Sequence, residues 1–215
     1  MKRQGVKPAA QSRSKKSRDK LVAALEHLLH EKSFEDITIA EIAKEAGLSV
    51  GAVYGRFENK DAFIPVIFDL YKARQEAFAN SPDARYMPDK EAGLRTALRT
   101  ITKMAWSFLK QEIHLTRATH LYARLRPDLI GDEWDEMLEA GVASYRAIVD
   151  FFADEIKRTD PDEAARMLGY TLSTLAIERG LYPTEGAAAA LKMDDARFTD
   201  AMADAMYGYL TVADT

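Results

Sequence analysis

The chain contains no cysteine, which excludes a disulfide framework, a thiolate nucleophile and a Cys-ligated zinc site. Long apolar runs are also missing. No stretch approaches the roughly 18 residues of a membrane span, and Leu21 to Leu29 is interrupted by Glu26 and His27, so no secretory core follows the basic N-terminus. These absences point to a soluble, cytoplasmic protein with no membrane partner. No run alternates apolar and polar residues with enough β-branched enrichment to make a strand. Catalytic signatures are missing too: there is no Gly-x-Ser-x-Gly elbow, no Walker loop, and no Glu followed three residues on by His, as a carboxylate-bridged metal pair in a helical bundle requires. Neither an enzyme nor a cofactor is expected.

What is present is a division of charge. The formal total of −4 over 215 residues argues against a polyanionic partner, but residues 1–20 hold eight basic side chains against Asp19 alone, a net of +7. A basic, Ser- and Gln-containing arm at 1–16 reads as disordered when free. It is suited to phosphates or a minor groove when bound, or simply to keeping the chain soluble.

Beyond the arm the pattern is helical throughout. Leu21, Val22, Leu25, Leu28 and Leu29 recur at steps of three and four, with Phe34 and Ile37 closing the cluster. His27 and His30 stand three apart on this first helix, a metal-ligand spacing with no third ligand indicated, so they read as surface or boundary side chains and no metal is expected.

The most informative run is Thr38 to Lys60. Thr38 and Glu41 form a capping box, with Ile37 and Ile42 as its hydrophobic staple. Gly47 supplies the positive φ that closes this helix, Leu48 plugs the corner and Ser49 caps a second helix. Val53 and Phe57 anchor that second helix, turning Val50, Gly51, Ala52, Gly55 and Arg56 to solvent with Tyr54 at the edge. Two helices joined by so tight a turn place the second in a major groove. Tyr54, Thr38, Lys60 and the helix N-termini then suit phosphate oxygens.

At these residues the chain resembles the tetracycline-repressor (TetR) family of transcriptional regulators. The pattern T-[IV]-x-x-I-A-x-x-A-G-[VL]-S-x-G-x-[VL]-Y-x-x-F-x-x-K is met at every named position, from Thr38 and Ile39 through Gly51, Val53, Tyr54 and Phe57 to Lys60. The resemblance covers roughly Ser17 to Phe68. One departure is Arg56, where the family often has an aromatic or His; it can donate two bonds to a guanine edge or one to a phosphate. The other is Gly55, which removes a frequent contact side chain.

The fold class expected is all-α: a helix-turn-helix DNA-binding domain at 17–60, then a helical effector-binding and dimerisation domain at 61–215. A connecting helix at about 60–79 begins at an Asn59 cap, with Pro65 two turns in, where it either bends the helix or marks a different helix start. Asn80 to Asp89 reads as a linker. Further helices are expected at about 89–110, 112–125, 132–158, 161–180 and 195–211, with a short one near 184–192. By resemblance, helices 161–180 and 195–211 pair with their copies in a homodimer, and a near-palindromic operator follows from that symmetry. Trp106, His120, Tyr122 and Trp134 are the candidates for binding a small-molecule effector whose identity the sequence does not state. The function expected is a ligand-responsive repressor. The competing class is a helical protein-interaction adaptor with a degenerate DNA-binding head.

Overall fold

The structure, a computed structural model, describes residues 8–81 and 88–214. In chain order the helices are α1 (Pro8–Glu31), α2 (Ile39–Glu45), α3 (Val50–Tyr54), α4 (Ile64–Ala79), α5 (Gly93–Gln111), α6 (Ile113–Leu125), α7 (Pro127–Ile130), α8 (Glu133–Phe151), α9 (Pro161–Leu181), α10 (Gly186–Ala190) and α11 (Asp195–Thr211). Single 3-10 turns at Phe34–Asp36 and Asp61–Phe63 precede α2 and α4. No strand occurs among the described residues, so the fold is all-α, as the sequence pattern requires.

The chain divides into two compact units. The first runs to Tyr71 and takes in His114–Ile130 as well; the second is Lys72–Ile113 with Gly131 onward. In the first unit the apolar stripe of α1 (Leu21, Leu25, Leu28, Leu29) buries with Phe34, Ile37, Ile42, Val53, Phe57 and Phe63. Phe57 stacks on Phe63 with ring centroids 3.9 Å apart.

The second unit is built from long helices that approach closely. Asp160 caps α9 by accepting from the Asp162 and Glu163 N–H groups at 2.9 and 3.0 Å, with Pro161 in the first turn where its missing N–H costs nothing. Asp194 caps α11 through the Arg197 N–H at 2.8 Å. Leu94, Leu98, Trp106, Phe152, Leu168, Leu172, Phe198, Met202 and Leu210 fill the core between α5, α9 and α11. Along the α5–α11 seam, Arg99 pairs with Asp204 at 3.3 Å, Lys103 with Asp200 at 3.0 Å and Lys110 with Asp195 at 2.8 Å. As one series rises the other falls, so the two helices run antiparallel.

Four expectations are corrected. Residues 1–7 of the basic arm lie outside the described residues, but from Pro8 the backbone is already helical and continuous with α1. Pro65 is the second residue of α4 rather than two turns inside it. Asn59 Oδ1 accepts from the Ala62 N–H at 3.1 Å and caps the preceding 3-10 turn, so the proline occupies a first turn where it disturbs no ladder bond. The helix expected at 132–158 ends at Phe151, because the residues after it have other partners. Phe152 is buried, Glu155 accepts from the Leu94 N–H at 2.9 Å to cap α5, and the Lys157 N–H bonds the Leu210 carbonyl at 2.8 Å. Finally, Pro127 begins the short helix α7 where only a break was expected. Part of the Asn80–Asp89 linker falls outside the described residues.

Candidate nucleic-acid interface

The helix-turn-helix is assembled by its own ends. Thr38 donates its N–H to Glu41 Oε2 at 2.8 Å, and its Oγ1 accepts from the Glu41 N–H at 3.2 Å, completing the capping box. Lys32 pairs with the other Glu41 oxygen. That hydrogen bond, with those from Thr38, holds the Glu41 carboxyl at about 2, well below the usual carboxylate range. At the far end Gly47 adopts φ +64°, and the Leu48 N–H reaches back to the Ala43 carbonyl at 2.8 Å. Ser49 Oγ then accepts from the Ala52 N–H at 3.2 Å and starts α3.

This geometry presents α3 to solvent. Val53 is fully buried and Phe57 nearly so, while Val50 is 41% and Tyr54 55% exposed. Gly51, Gly55 and Arg56 are exposed and Ala52 is half-buried. Val53 and Phe57 are thus the anchors expected, and of the positions expected to face solvent only Ala52 is partly covered. Thr38 and Ser49 are also exposed, with their hydroxyls at the starts of α2 and α3. Arg56 is turned back on its own helix, Nη1 donating to the Ala52 carbonyl at 2.9 Å.

Lys60 is placed differently from a free phosphate ligand. Its ammonium donates to the Glu35 carbonyl at 2.7 Å and lies over the Phe34 ring, 4.9 Å from the centroid. It therefore fixes the turn that leads into α2.

Sequence reasoning missed three residues of this unit. Tyr122 on α6 donates its hydroxyl to Glu35 Oε1 at 3.2 Å and packs edge-on against Phe34, centroids 5.4 Å apart. Just past the end of α6, Arg126 pairs with Asp61 and with Asp128 at 3.0 Å. One turn of chain thus holds Glu35 and Asp61, which stand in the two 3-10 turns on either side of α2 and α3. Glu35, Asp61 and Arg126 carry no local signal for this, since the pairs are 65 and 87 positions apart.

The four effector candidates fall in both units. Trp106 lies in the core of the second, edge-on to Phe198 at 5.2 Å, and Trp134 is half-buried at the start of α8. His120 and Tyr122 belong to the first unit. His120 lies edge-on to Tyr71 at 6.2 Å, and burial, with the Arg124 charge, lowers its pKa to about 4. Burial, with Glu35 beside it, pushes the Tyr122 phenol up to about 12. Two shallow concavities open on the first unit, one of about 330 Å³ at Val22, Val66 and Leu70, the other of about 320 Å³ at Ala23, Ala24 and Ala46. None of the four candidates lines either.

On the first helix, His27 pairs with Glu45 at 2.9 Å and His30 stacks on His114 with centroids 3.5 Å apart. Among the described residues no group of three or more His, Asp or Glu is placed to hold a metal ion. No described helix is long and apolar enough to cross a membrane.

Residues 21–65 match the model of the bacterial regulatory proteins of the tetR family. The fold of nearly the whole chain is shared with solved regulators. The fatty acid degradation regulator FadR from Bacillus halodurans is 17% identical with a TM-score of 0.59, over 96% of this chain and 97% of that one. A transcriptional regulator from Rhodococcus sp. Rha1 is 20% identical with a TM-score of 0.57, over 91% and 98%. NalD, the secondary repressor of the MexAB-OprM multidrug efflux pump in Pseudomonas aeruginosa, is 17% identical with a TM-score of 0.55, over 93% and 98%. No curated protein sequence gives a significant match. At these identities the structural likeness is one of fold, and the family resemblance read from Thr38 to Lys60 is borne out by the match over the head.

Proposed function

We propose that this chain, with a tetR-family head on the fold of that family's regulators, is a cytoplasmic homodimeric repressor that binds a near-palindromic operator and is released by a small molecule. The observation that carries the reading is the solvent-facing α3, capped by Ser49 and anchored by Val53 and Phe57, inside the matched segment. In this reading Val50, Gly51, Ala52, Tyr54, Gly55 and Arg56 face the groove. Thr38, Ser49 and Lys60 position the head on phosphates.

Dimerisation through α9 and α11 is supported by apolar surface that the single chain leaves uncovered. Met167 and Tyr170 on α9 are 43% and 68% exposed, and Ala201 and Ala205 on α11 face solvent. One short α3 reads only a few base pairs, so pairing is what gives an operator its length.

Release is supported by the grip of Tyr122 and Arg126 on Glu35 and Asp61. A ligand that binds more tightly when α6 is shifted would move both turns that flank the helix-turn-helix, and only such a difference in affinity can drive the change. His120 and Tyr122 on α6 are assigned to the effector in the first unit, and Trp106 and Trp134 are separate candidates within the second. With its pKa near 4, His120 would offer a ligand a hydrogen bond rather than a charge at neutral pH. Two of the solved regulators named above are a fatty acid degradation regulator and a repressor of a multidrug efflux pump, and at their identities neither role transfers.

The adaptor reading keeps one specific support, that Lys60 is bonded within the head and Gly55 offers no side chain. Selection of bound fragments from random DNA decides between the two. A regulator yields symmetric half-sites whose affinity falls steeply with salt; an adaptor enriches no duplex.

A further inference from the structure

Two glycines, Gly51 in α3 and Gly55 at its C-cap, are not required by crowding or by a positive φ. Gly55 has ordinary helical angles, φ −69° and ψ −6°, and Gly51 is not among the positive-φ glycines. A Cβ built on Gly51 would meet nothing nearer than Ser49 Oγ at 4.0 Å, and one on Gly55 nothing nearer than the Gly51 carbonyl oxygen at 3.5 Å, an ordinary contact. In the second unit, by contrast, a Cβ on Gly180 would stand 2.9 Å from Leu109 Cδ2. Glycine weakens a helix relative to alanine, and here one stands inside the five-residue α3 and the other at its C-cap. Steric contacts in the folded chain therefore do not account for the bare surface at these two positions.

Arg56 explains where the space goes. Its guanidinium donates to the Ala52 carbonyl oxygen, and that same oxygen lies 3.8 Å from where a Gly55 Cβ would be. The guanidinium and the bare position thus both neighbour the Ala52 carbonyl oxygen, at the C-terminal end of α3. Val50 and Ala52 carry no polar side-chain group, and Tyr54 has one hydroxyl. Arg56 alone on this face offers the two parallel donors that match O6 and N7 of guanine.

We propose that Arg56 is the base-reading side chain of this helix, turning from the Ala52 carbonyl to the edge of a guanine in the major groove, and that Gly55 is the clearance for that turn. The assignment rests on the DNA-binding reading above.

The test is selection of bound duplexes, followed by titration across a salt series, with the full-length wild type, R56A, R56K and G55A. Removing the arginine should erase one G·C preference in each half-site and lower affinity for the selected operator by about 5- to 150-fold, with little change on random duplex. Lysine keeps the charge without the paired donors, so R56K should not restore the preference. G55A should melt at or above the wild-type temperature while losing the same preference. The assignment is overturned by a uniform loss in R56A with a shallower salt slope that R56K repairs, since that marks a phosphate contact. It is equally overturned by G55A binding as the wild type does. Wild-type protein that enriches no duplex sinks the regulator reading and this assignment with it. An operator selected unchanged by R56A sinks the assignment alone.

Discussion

The helix-turn-helix is made of helices of seven and five residues fixed at their ends, whereas α5, α9 and α11, with 19, 21 and 17 residues, are fixed along their flanks. Isolated helices as short as α2 and α3 are not stable in water. In the head, Thr38, Ser49 and Gly47 settle where each helix starts and stops, and buried Ile42, Val53 and Phe57 tie the pair to α1. In the second unit, the Cβ-free surfaces of Gly169 against the Tyr145 ring and of Gly180 against Leu109, with the ladder of Arg99, Lys103 and Lys110 against Asp204, Asp200 and Asp195, settle which helix lies beside which. End-fixing leaves the outward face of α3 free for another molecule, whereas flank-fixing commits the inner faces of α5, α9 and α11 to one another.

The strongest way to break this contrast is to remove the core beneath the head. Phe63 is fully buried and stacked on Phe57, so Phe63→Ala should destabilise by about 3–5 kcal/mol, measured by denaturant unfolding. Amide exchange in α2 and α3 should rise with it. If the caps alone sustained these helices, their amides would stay protected in the variant.

A sharper comparison makes the same substitution in both regions. Gly180→Ala puts a methyl against Leu109 and Ile113, at 2.9 and 3.3 Å, and should cost about 1–3 kcal/mol by overpacking. Gly55→Ala meets only ordinary contacts and should gain about 0.5–1 kcal/mol. Thermal melts of the two variants should therefore shift in opposite directions. A fall in both would mean that the glycine at the end of α3 serves the fold after all, and a rise in both that Gly180 is not needed for the close fit of its helices.

The contrast also explains what was legible in the sequence. The capping box, the Gly47 turn and the anchors Val53 and Phe57 lie within a few residues of one another, so local chemistry specifies them. The end of α8 at Phe151 was not legible, because what stops the helix is Glu155 bonding Leu94, 61 positions away. Pro65 was read two turns into its helix because Asn59 caps a 3-10 turn, and a sequence does not separate that from the first turn of an α-helix. Lys60 fits a motif position, yet its partners Glu35 and Phe34 are some 25 residues upstream, and only the fold brings them together.

The smallest effect tests whether end-fixing carries an electrostatic part. Glu41 is held at about 2 against an ordinary 4.5, first by Lys32 and then by the Thr38 N–H and hydroxyl. Because the folded pKa is the lower one, the ionised carboxylate stabilises the head fully above pH 4.5. That stability is lost as the pH falls from there through about 2, where the carboxyl takes up its proton in the folded state as well. Glu41→Gln removes this charge and keeps the shape, so the variant should be less stable than the wild type at pH 7, and the gap between them should close as the pH falls through that window. Both Glu41 and Lys32 reach solvent, so added salt should narrow the gap at pH 7 but not abolish it. The bonds to the Thr38 N–H and hydroxyl survive screening. Unfolding curves at several pH values and two salt concentrations measure both effects, and a gap that stays constant from pH 7 to pH 2 would show that the cap acts by shape alone.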